Sequence, residues 1–269
     1  MSNQIAGAGN NQIIKDYEEY KAQGRIWGGV PPENIKRIKF PRIDKKIIDE
    51  FLALEDLTGS ISDVLDSLGI KGAIPASHLG PLLPSSKIAG TAVTLRSIPE
   101  RKTVTQGLMD KDYIRMATRD THYLAEPGDI LVADFGGNLE VSNMGGQSVA
   151  VAQSRGVAGA IVNGAVRDVP SFRKRKFPTW CRGLTPITGK CRIQAVEING
   201  PVTLYDTLVE PGDLIVADES GVCVVPADKV NYVLEKCKSI IQEEETMREL
   251  IDNEVPISEL KPLYRKRYS

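Results

Sequence analysis

At 269 residues, 41% hydrophobic and 26% charged, the chain has the make-up of an ordinary globular protein with one main core. Lys and Arg number 34 against 35 Asp and Glu, a net charge of −1 that argues against nucleic acid as a partner, and the basic runs Arg173-Lys174-Arg175-Lys176 and Arg265-Lys266-Arg267 are short enough to be solvated faces. No apolar run reaches the ~18–20 residues a membrane span requires, and four cysteines with no CxxC pair and no secretory leader are expected to be reduced thiols of a cytoplasmic protein.

Residues 1–40 combine a polar start (Ser2 to Asn11), an amphipathic stretch (Ile13 to Gln23) and the breaker Gly28-Gly29-Val30-Pro31-Pro32. They are expected to form an extension on the surface or against a neighbouring subunit, with Arg25, Trp27 and the Pro31-Pro32 turn able to cover a site. A main domain over 41–255 opens with helical patterns at Lys45 to Leu54 and from Thr58 to Gly69, the second carried by Ile61, Val64, Leu65 and Leu68. Strands are expected over Ala89 to Leu95, Ala158 to Asn163, Val202 to Tyr205 and Val222 to Val225. Two near-copies, Glu126-Pro127-Gly128-Asp129 and Glu210-Pro211-Gly212-Asp213, each form a turn feeding a buried strand that ends in Val-Ala-Asp. A helix over Gln147 to Arg155, a long helix over Ala227 to Asn253 and a tail over 256–269 complete an α/β pattern.

Chemistry concentrates between Gly145 and Asp168. Gly145-Gly146 opens a helix whose first amides, those of Gln147 and Ser148, carry free N–H groups and partial positive charge suited to a carboxylate. Past the next strand, Arg167 offers a planar fork for carboxylate or carbonyl oxygens, and Asp168 a hard oxygen ligand for Mg²⁺ or Mn²⁺. The bland alternative is a surface ion pair closing a turn. His78 and His122 lie far apart without a paired motif, so His-based metal sites and a Ser-His-Asp triad are poorly supported. Neither GxxxxGK[ST] nor GxGxxG occurs, which argues against a nucleotide site and gives no cofactor loop for a methyltransferase.

The blocks Thr58-Gly59-Ser60-Ile61-Ser62-Asp63-Val64-Leu65-Asp66, Gly90-Thr91-Ala92-Val93-Thr94, Val162-Asn163-Gly164-Ala165-Val166-Arg167-Asp168 and Arg182-Gly183-Leu184-Thr185-Pro186, with the Pro-Gly-Asp strands, occur in an order that resembles the RraA-like family. That family includes class II 4-hydroxy-4-methyl-2-oxoglutarate aldolases and a regulator of ribonuclease E. The resemblance covers roughly Thr58 to Arg248. It implies a swivelling β/β/α sandwich, assembled as homotrimers or hexamers with the site between subunits. It further implies metal binding by Asp168, substrate oxygens on Arg167, and pyruvate on the loop Gly145, Gly146, Gln147 and Ser148. An acid of the C-terminal helix, matched best by Glu244, would reach the metal's waters from the adjacent subunit.

Where the aldolases carry an acid against the metal's water shell, this chain has Gly146, and where some relatives carry a compensating acid it has Ser171. The expected activity is therefore cleavage of a 4-hydroxy-2-oxoacid to pyruvate, or oxaloacetate decarboxylation, with a metal-bound water carrying protons. The alternatives are another metal-assisted lyase or hydrolase step on the same scaffold and a non-enzymatic regulator that binds a ribonuclease.

Overall fold

The computed structural model describes the backbone of residues 2–111 and 115–267 and the side chains of residues 11–111 and 115–263. In chain order the elements begin with α1 (Ser2–Ala22), α2 (Lys45–Leu52), α3 (Leu57–Ser67), β1 (Ala73–Pro75), β2 (Gly80–Pro81), β3 (Ile88–Pro99), α4 (Val104–Met109) and α5 (Thr118–Leu124). They continue with β4 (Ile130–Asp134), β5 (Ser142–Met144), α6 (Gly146–Ser154), β6 (Gly159–Val166), α7 (Val169–Arg175), β7 (Thr179–Leu184) and β8 (Ile193–Ile198). The chain closes with β9 (Val202–Leu204), β10 (Thr207–Val209), β11 (Leu214–Asp218), β12 (Gly221–Val225), α8 (Val230–Asp252) and α9 (Ile257–Arg267). The expected tail after residue 256 is thus helical, with Arg265-Lys266-Arg267 beyond the side chains described.

One mixed sheet organises the chain in the order β1-β12-β11-β3-β4-β6-β7-β2, with β5 added to β6 and β8 to β3. The stretch β3-β4-β6-β7 is parallel. β3 is long because it serves three partners, antiparallel β11 through Ile88 to Thr91, parallel β4 through Ala92 to Arg96 and antiparallel β8 through Leu95 to Pro99. The two near-repeats therefore flank one strand. Their turns are built alike: Gly128 and Gly212 have φ of 92° and 105°, a conformation that favours glycine. Asp129 and Asp213 each accept the N–H of the glutamate three residues earlier, at 2.8 and 2.9 Å. These aspartates are turn staples, and Asp129 also holds Arg42 at 3.1 Å.

Alternation along the strands divides the core into layers. Leu131 and Ala133 of β4 face a cluster with Leu124, Val149, Ala152 and Phe172 from α5, α6 and α7. Ile130 and Val132 face the other way, onto Ile74, Val202, Val209, Ile215 and Val222 of the remaining strands. A third cluster packs α2, α3 and the first turns of α8 on the outer side of β11 and β12. The result is helix on sheet on sheet with a further helical layer outside β11 and β12, an α/β architecture of the β/β/α kind carrying that extra layer, and among the described residues no helix is long and apolar enough to cross a membrane.

The N-terminal segment departs from the expected surface extension. Tyr20, Val30, Ile35 and Ile38 are buried in the central helix-side cluster. Residues 25–29 run along α5 and hold it at both ends. Arg25 caps its C-terminal carbonyls at Tyr123 (3.1 Å) and Ala125 (2.9 Å), and the Gly29 N–H binds the Asp120 carboxylate at 2.7 Å. Sequence periodicity cannot reveal this, because the segment is held by single side chains and not by a repeating face.

Candidate active site

β6 runs to Val166, so Arg167 and Asp168 leave the C-terminal edge of the parallel strands, where α/β sheets commonly hold ligands. Adjacent side chains on a strand point apart. Here Asp168 turns into the left-handed region (φ 60°, ψ 41°) as the N-cap of α7, and this brings it to the same side as Arg167. An aspartate tolerates that conformation better than most residues, at a cost of roughly 1 kcal/mol. Its carboxylate makes no capping bond to its own helix and instead accepts the Gly146 N–H at 2.9 Å.

The Arg167 Nε lies 3.6 Å from Asp168 Oδ2, beyond hydrogen-bond length, and among the described residues the guanidinium makes no hydrogen bond. The two side chains form a partly exposed ion pair without a hydrogen bond between them. Arg167 keeps its fork available, while Asp168 ties β6 to the start of α6.

Both glycines are required by proximity. A Cβ on Gly145 would lie 2.6 Å from Asp168 Oδ2 and 3.1 Å from Arg167 Nε, and one on Gly146 would lie 2.6 Å from Ser171 Oγ. Ser171, the other position where an acid was expected, thus crowds the space beside residue 146. With the Gly146 N–H engaged by Asp168, the amides of Gln147 and Ser148 are first-turn donors of α6 with no carbonyl a turn before them in the helix.

These residues line one cavity of about 210 Å³ together with Trp27, Arg119, Asp120, Asn143, Thr188 and Lys190. The structure thus brings Gly145, Gly146, Gln147, Ser148, Arg167 and Asp168 to a single cleft. Glu244 lies elsewhere on its own chain, on α8 beside Arg248 at 3.5 Å.

Arg119, Asp120 and Lys190 of the cleft, and His122 behind it, escaped sequence reasoning, while Trp27 was among the residues expected to be able to cover a site. α5 supplies Arg119, which bonds the Gln147 side chain, and fully buried His122, whose Nε2 lies 3.0 Å from Ser148 Oγ. Burial alone pushes the His122 pKa down to about 3, so the ring is neutral. Asp120 is also buried, and burial, opposed by the N–H groups of Gly28 and Gly29, pushes its pKa up to about 6. Trp27 stacks on Tyr123 (centroids 5.6 Å apart) with the Arg119 guanidinium 5.5 Å from its ring. Lys190 follows the block ending at Pro186, the one sequence signal that pointed near it; α5 carried no motif.

A cleft with Arg119, Arg167 and Lys190 against Asp120 and Asp168 is built for an anion. The described residues hold no group of three or more His, Cys, Asp or Glu able to enclose a metal. One carboxylate, Asp168, whose side chain is 45% exposed, is nevertheless compatible with Mg²⁺, which retains most of its waters.

Comparison with known proteins accords with this geometry. The family model RraA-like (Aldolase/RraA) matches residues 58–224. A protein of Halalkalibacterium halodurans, provisionally named a 4-hydroxy-4-methyl-2-oxoglutarate aldolase, is 31% identical over 74% of this chain and 86% of its own. DlpA of Legionella pneumophila is 30% identical over 72% of this chain, which spans only 30% of that longer protein. RraAS2 of Streptomyces coelicolor, described as an unusual member of the RNase ES inhibitor RraA protein family, superposes with a TM-score of 0.65 at 27% identity, over 78% of this chain and 99% of that one. With more than half its length matched by the family model and its sheet shared with a solved relative, the chain belongs to the RraA-like family.

Proposed function

We propose that this protein is a divalent-metal-dependent carbon–carbon lyase that cleaves a 4-hydroxy-2-oxoacid to pyruvate, decarboxylates oxaloacetate, or does both. The observation that carries the reading is the Arg167 fork, paired with Asp168 but free of hydrogen bonds among the described residues, lining the same cleft as the first residues of α6. The aldolase name of the 31% identical relative supports the same reaction class.

Asp168, with Glu244 of an adjacent subunit acting through water, would hold Mg²⁺ or Mn²⁺ in a homotrimer or hexamer. When bound, the metal supplies Lewis-acid charge to the substrate's oxo and carboxylate oxygens. The amides of Gln147 and Ser148 hold the pyruvyl carboxylate, and Arg167 polarises the C2 carbonyl oxygen. As the C3–C4 bond breaks, its electron pair enters the C2 carbonyl. The 4-hydroxyl loses its proton to become the new carbonyl, and C3 takes a proton to complete pyruvate. Asp120, lining the cleft with a pKa of about 6, is a group of this chain able to exchange a proton near neutral pH. Arg119 and Lys190 add positive charge for a second carboxylate.

The test is coupled detection of pyruvate from oxaloacetate and from several 4-hydroxy-2-oxoacids, before and after chelation and with Asp168→Ala. The reading requires turnover that chelation abolishes and that Asp168→Ala lowers by about 100-fold or more, on the order of 3 kcal/mol of barrier. Full metal-dependent turnover by Asp168→Ala would sink it. Capture of a ribonuclease with no turnover of any oxoacid would replace it with the regulator reading.

A further inference from the structure

The buried contact between α5 and the glycine loop is made by His122 and Ser148. Ser148 is the third residue of α6; it lines the cleft and is 6% exposed. Its Oγ lies 3.0 Å from His122 Nε2. The other ring nitrogen, Nδ1, is buried and has no hydrogen-bond partner. Arg119 and Asp120 are the charged residues of α5 near it in sequence, α6 carries no charged residue from Gly146 to Ser154, and burial alone shifts the ring's titration. The imidazole is therefore neutral, with one N–H and one bare nitrogen to distribute.

Two arrangements are available. With the proton on Nδ1, a buried N–H is left without an acceptor, and Nε2 must take the Ser148 hydroxyl proton. Ser148 would then turn lone pairs toward a cleft built for anions. With the proton on Nε2, the N–H donates to Ser148 Oγ, the orphaned atom is a bare nitrogen, and the hydroxyl hydrogen is free to turn to the cleft. Buried orphan donors are rarer in proteins than under-satisfied acceptors, and the second arrangement leaves no orphan donor.

We propose that His122, as the Nε2–H tautomer, is a positioning residue that fixes the Ser148 hydroxyl as a donor to the carboxylate of the bound 2-oxoacid, beside the amides of Gln147 and Ser148. The carboxylate as ligand rests on the function proposed above; the hydrogen bond and its direction do not. The same direction excludes Ser148 as a nucleophile activated by His122, because an activating histidine must present a bare Nε2 to accept the hydroxyl proton. No sequence motif pairs His122 with a partner, and the inverse arrangement, a serine–histidine dyad, is the one this pair of residue types first suggests.

Two independent measurements test the proposal on the full-length protein. The first is the ¹⁵N spectrum of histidine-labelled protein, in which His78→Gln assigns the two rings. The expected result is a protonated Nε2 and a bare Nδ1 on His122, unchanged between about pH 5.5 and 8.5, since a group with so depressed a pKa does not titrate there. A bare Nε2, a ring that titrates near neutrality, or covalent labelling of Ser148 by a fluorophosphonate would overturn it.

The second is calorimetric binding of oxalate, a planar mimic of the pyruvate enolate, in the presence of Mg²⁺. Ser148→Ala is expected to weaken binding about ten-fold, the size of one charge-assisted hydrogen bond. His122→Phe should weaken it similarly. His122→Gln, whose amide can keep a donor near the Nε2 position, should restore part of the loss. In the Ser148→Ala background, His122→Phe should add little, and a further ten-fold loss there would reduce His122 to a packing role and overturn the proposal. Failure of the wild type to bind oxalate would overturn the carboxylate as ligand together with the oxoacid reading, while the spectrum would still decide the direction of the bond.

Discussion

The two ends of the chain invert what their sequences promise. The N-terminal segment is polar and broken by glycine and proline, yet it buries Tyr20, Val30, Ile35 and Ile38, clamps both ends of α5, and brings Trp27 to the cleft of its own chain. The C-terminal α8 is the longest helix pattern in the sequence, yet its buried residues, Val230, Val233, Leu234 and Cys237, all lie in its first turns. Beyond them Ile251 is 46% and Ile257 79% exposed. Helical periodicity measures how regular an element is, whereas attachment depends on where individual side chains find partners. α5 shows what attachment does for function: the segment that holds it sets the helix whose Arg119 and His122 hold Gln147 and Ser148.

Truncation separates the two ends most directly. Each buried apolar side chain contributes roughly 1.5–3 kcal/mol, so removing the four N-terminal ones costs on the order of 6–12 kcal/mol, about the whole stability of a typical domain. A chain lacking residues 1–41 is expected to lose cooperative thermal unfolding, while one lacking residues 254–269 should melt within a few degrees of the full chain. Equal melting of the two truncations would show that the N-terminal contacts carry no net stability.

Asp120 sharpens the same point with a pH dependence. Its pKa is raised by burial to about 6, above the ordinary carboxylate value, so the stability associated with its protonated form is present below that ordinary value and lost as pH rises through about 6. The upward shift of about two units corresponds to roughly 3 kcal/mol. Asp120→Asn keeps an oxygen for the Gly29 N–H and removes the buried charge. Melting curves should show the variant matching the wild type near pH 4 and exceeding it at pH 7.5, with slower oxoacid turnover. A stability difference independent of pH would mean that Asp120 ionises without penalty.

What the sequence disclosed and what it hid follow from the range of the interactions involved. Strands and helices with a buried repeating face were legible: Ile130 to Asp134, Leu214 to Asp218 and the helix after Gly145-Gly146 lie where periodicity and turn chemistry put them. So was the local constellation of Gly145 to Ser148 with Arg167 and Asp168, because its members lie on consecutive elements of one strand–helix–strand passage. α5, β5, α7, β7 and β8 were not legible; they are short, and partners distant in sequence define them. The same reason hid Arg119, Asp120 and Lys190, which reach the cleft through contacts that no spacing encodes, whereas Trp27 was already among the residues expected to be able to cover a site.

Gly146 is a place where local sequence and site chemistry can be set against each other. An acid placed there would restore the side chain that the aldolases carry, but its Cβ would meet Ser171 Oγ at 2.6 Å. Gly146→Asp alone is expected to destabilise the protein by about 1–3 kcal/mol, the usual cost of overpacking. Adding Ser171→Gly should recover most of that loss. If turnover rises only in the double variant, the space taken by Ser171 limited the wild-type proton transfer; if the single variant melts like the wild type, the crowding argument fails.

The smallest expected effects distinguish a residue acting within its own chain from one acting on a neighbour. Trp27 is 47% exposed and stacked on Tyr123, so Trp27→Ala should raise KM about ten-fold, roughly 1.4 kcal/mol, with little change in melting temperature. Glu244→Gln should instead lower kcat, because its proposed action is on the neighbouring subunit's site. Mixed oligomers separate the two. If Glu244 acts on the neighbouring subunit as proposed, subunits carrying Asp168→Ala and subunits carrying Glu244→Gln, unfolded and reassembled together, should regenerate intact interfaces in about one quarter of cases. Subunits carrying Asp168→Ala and Trp27→Ala regenerate none, because both residues line a cleft within a single chain. Recovery of activity in the first mixture and unchanged KM in the second would place the N-terminal end in cis and the C-terminal end in trans; the opposite pattern would reverse the comparison.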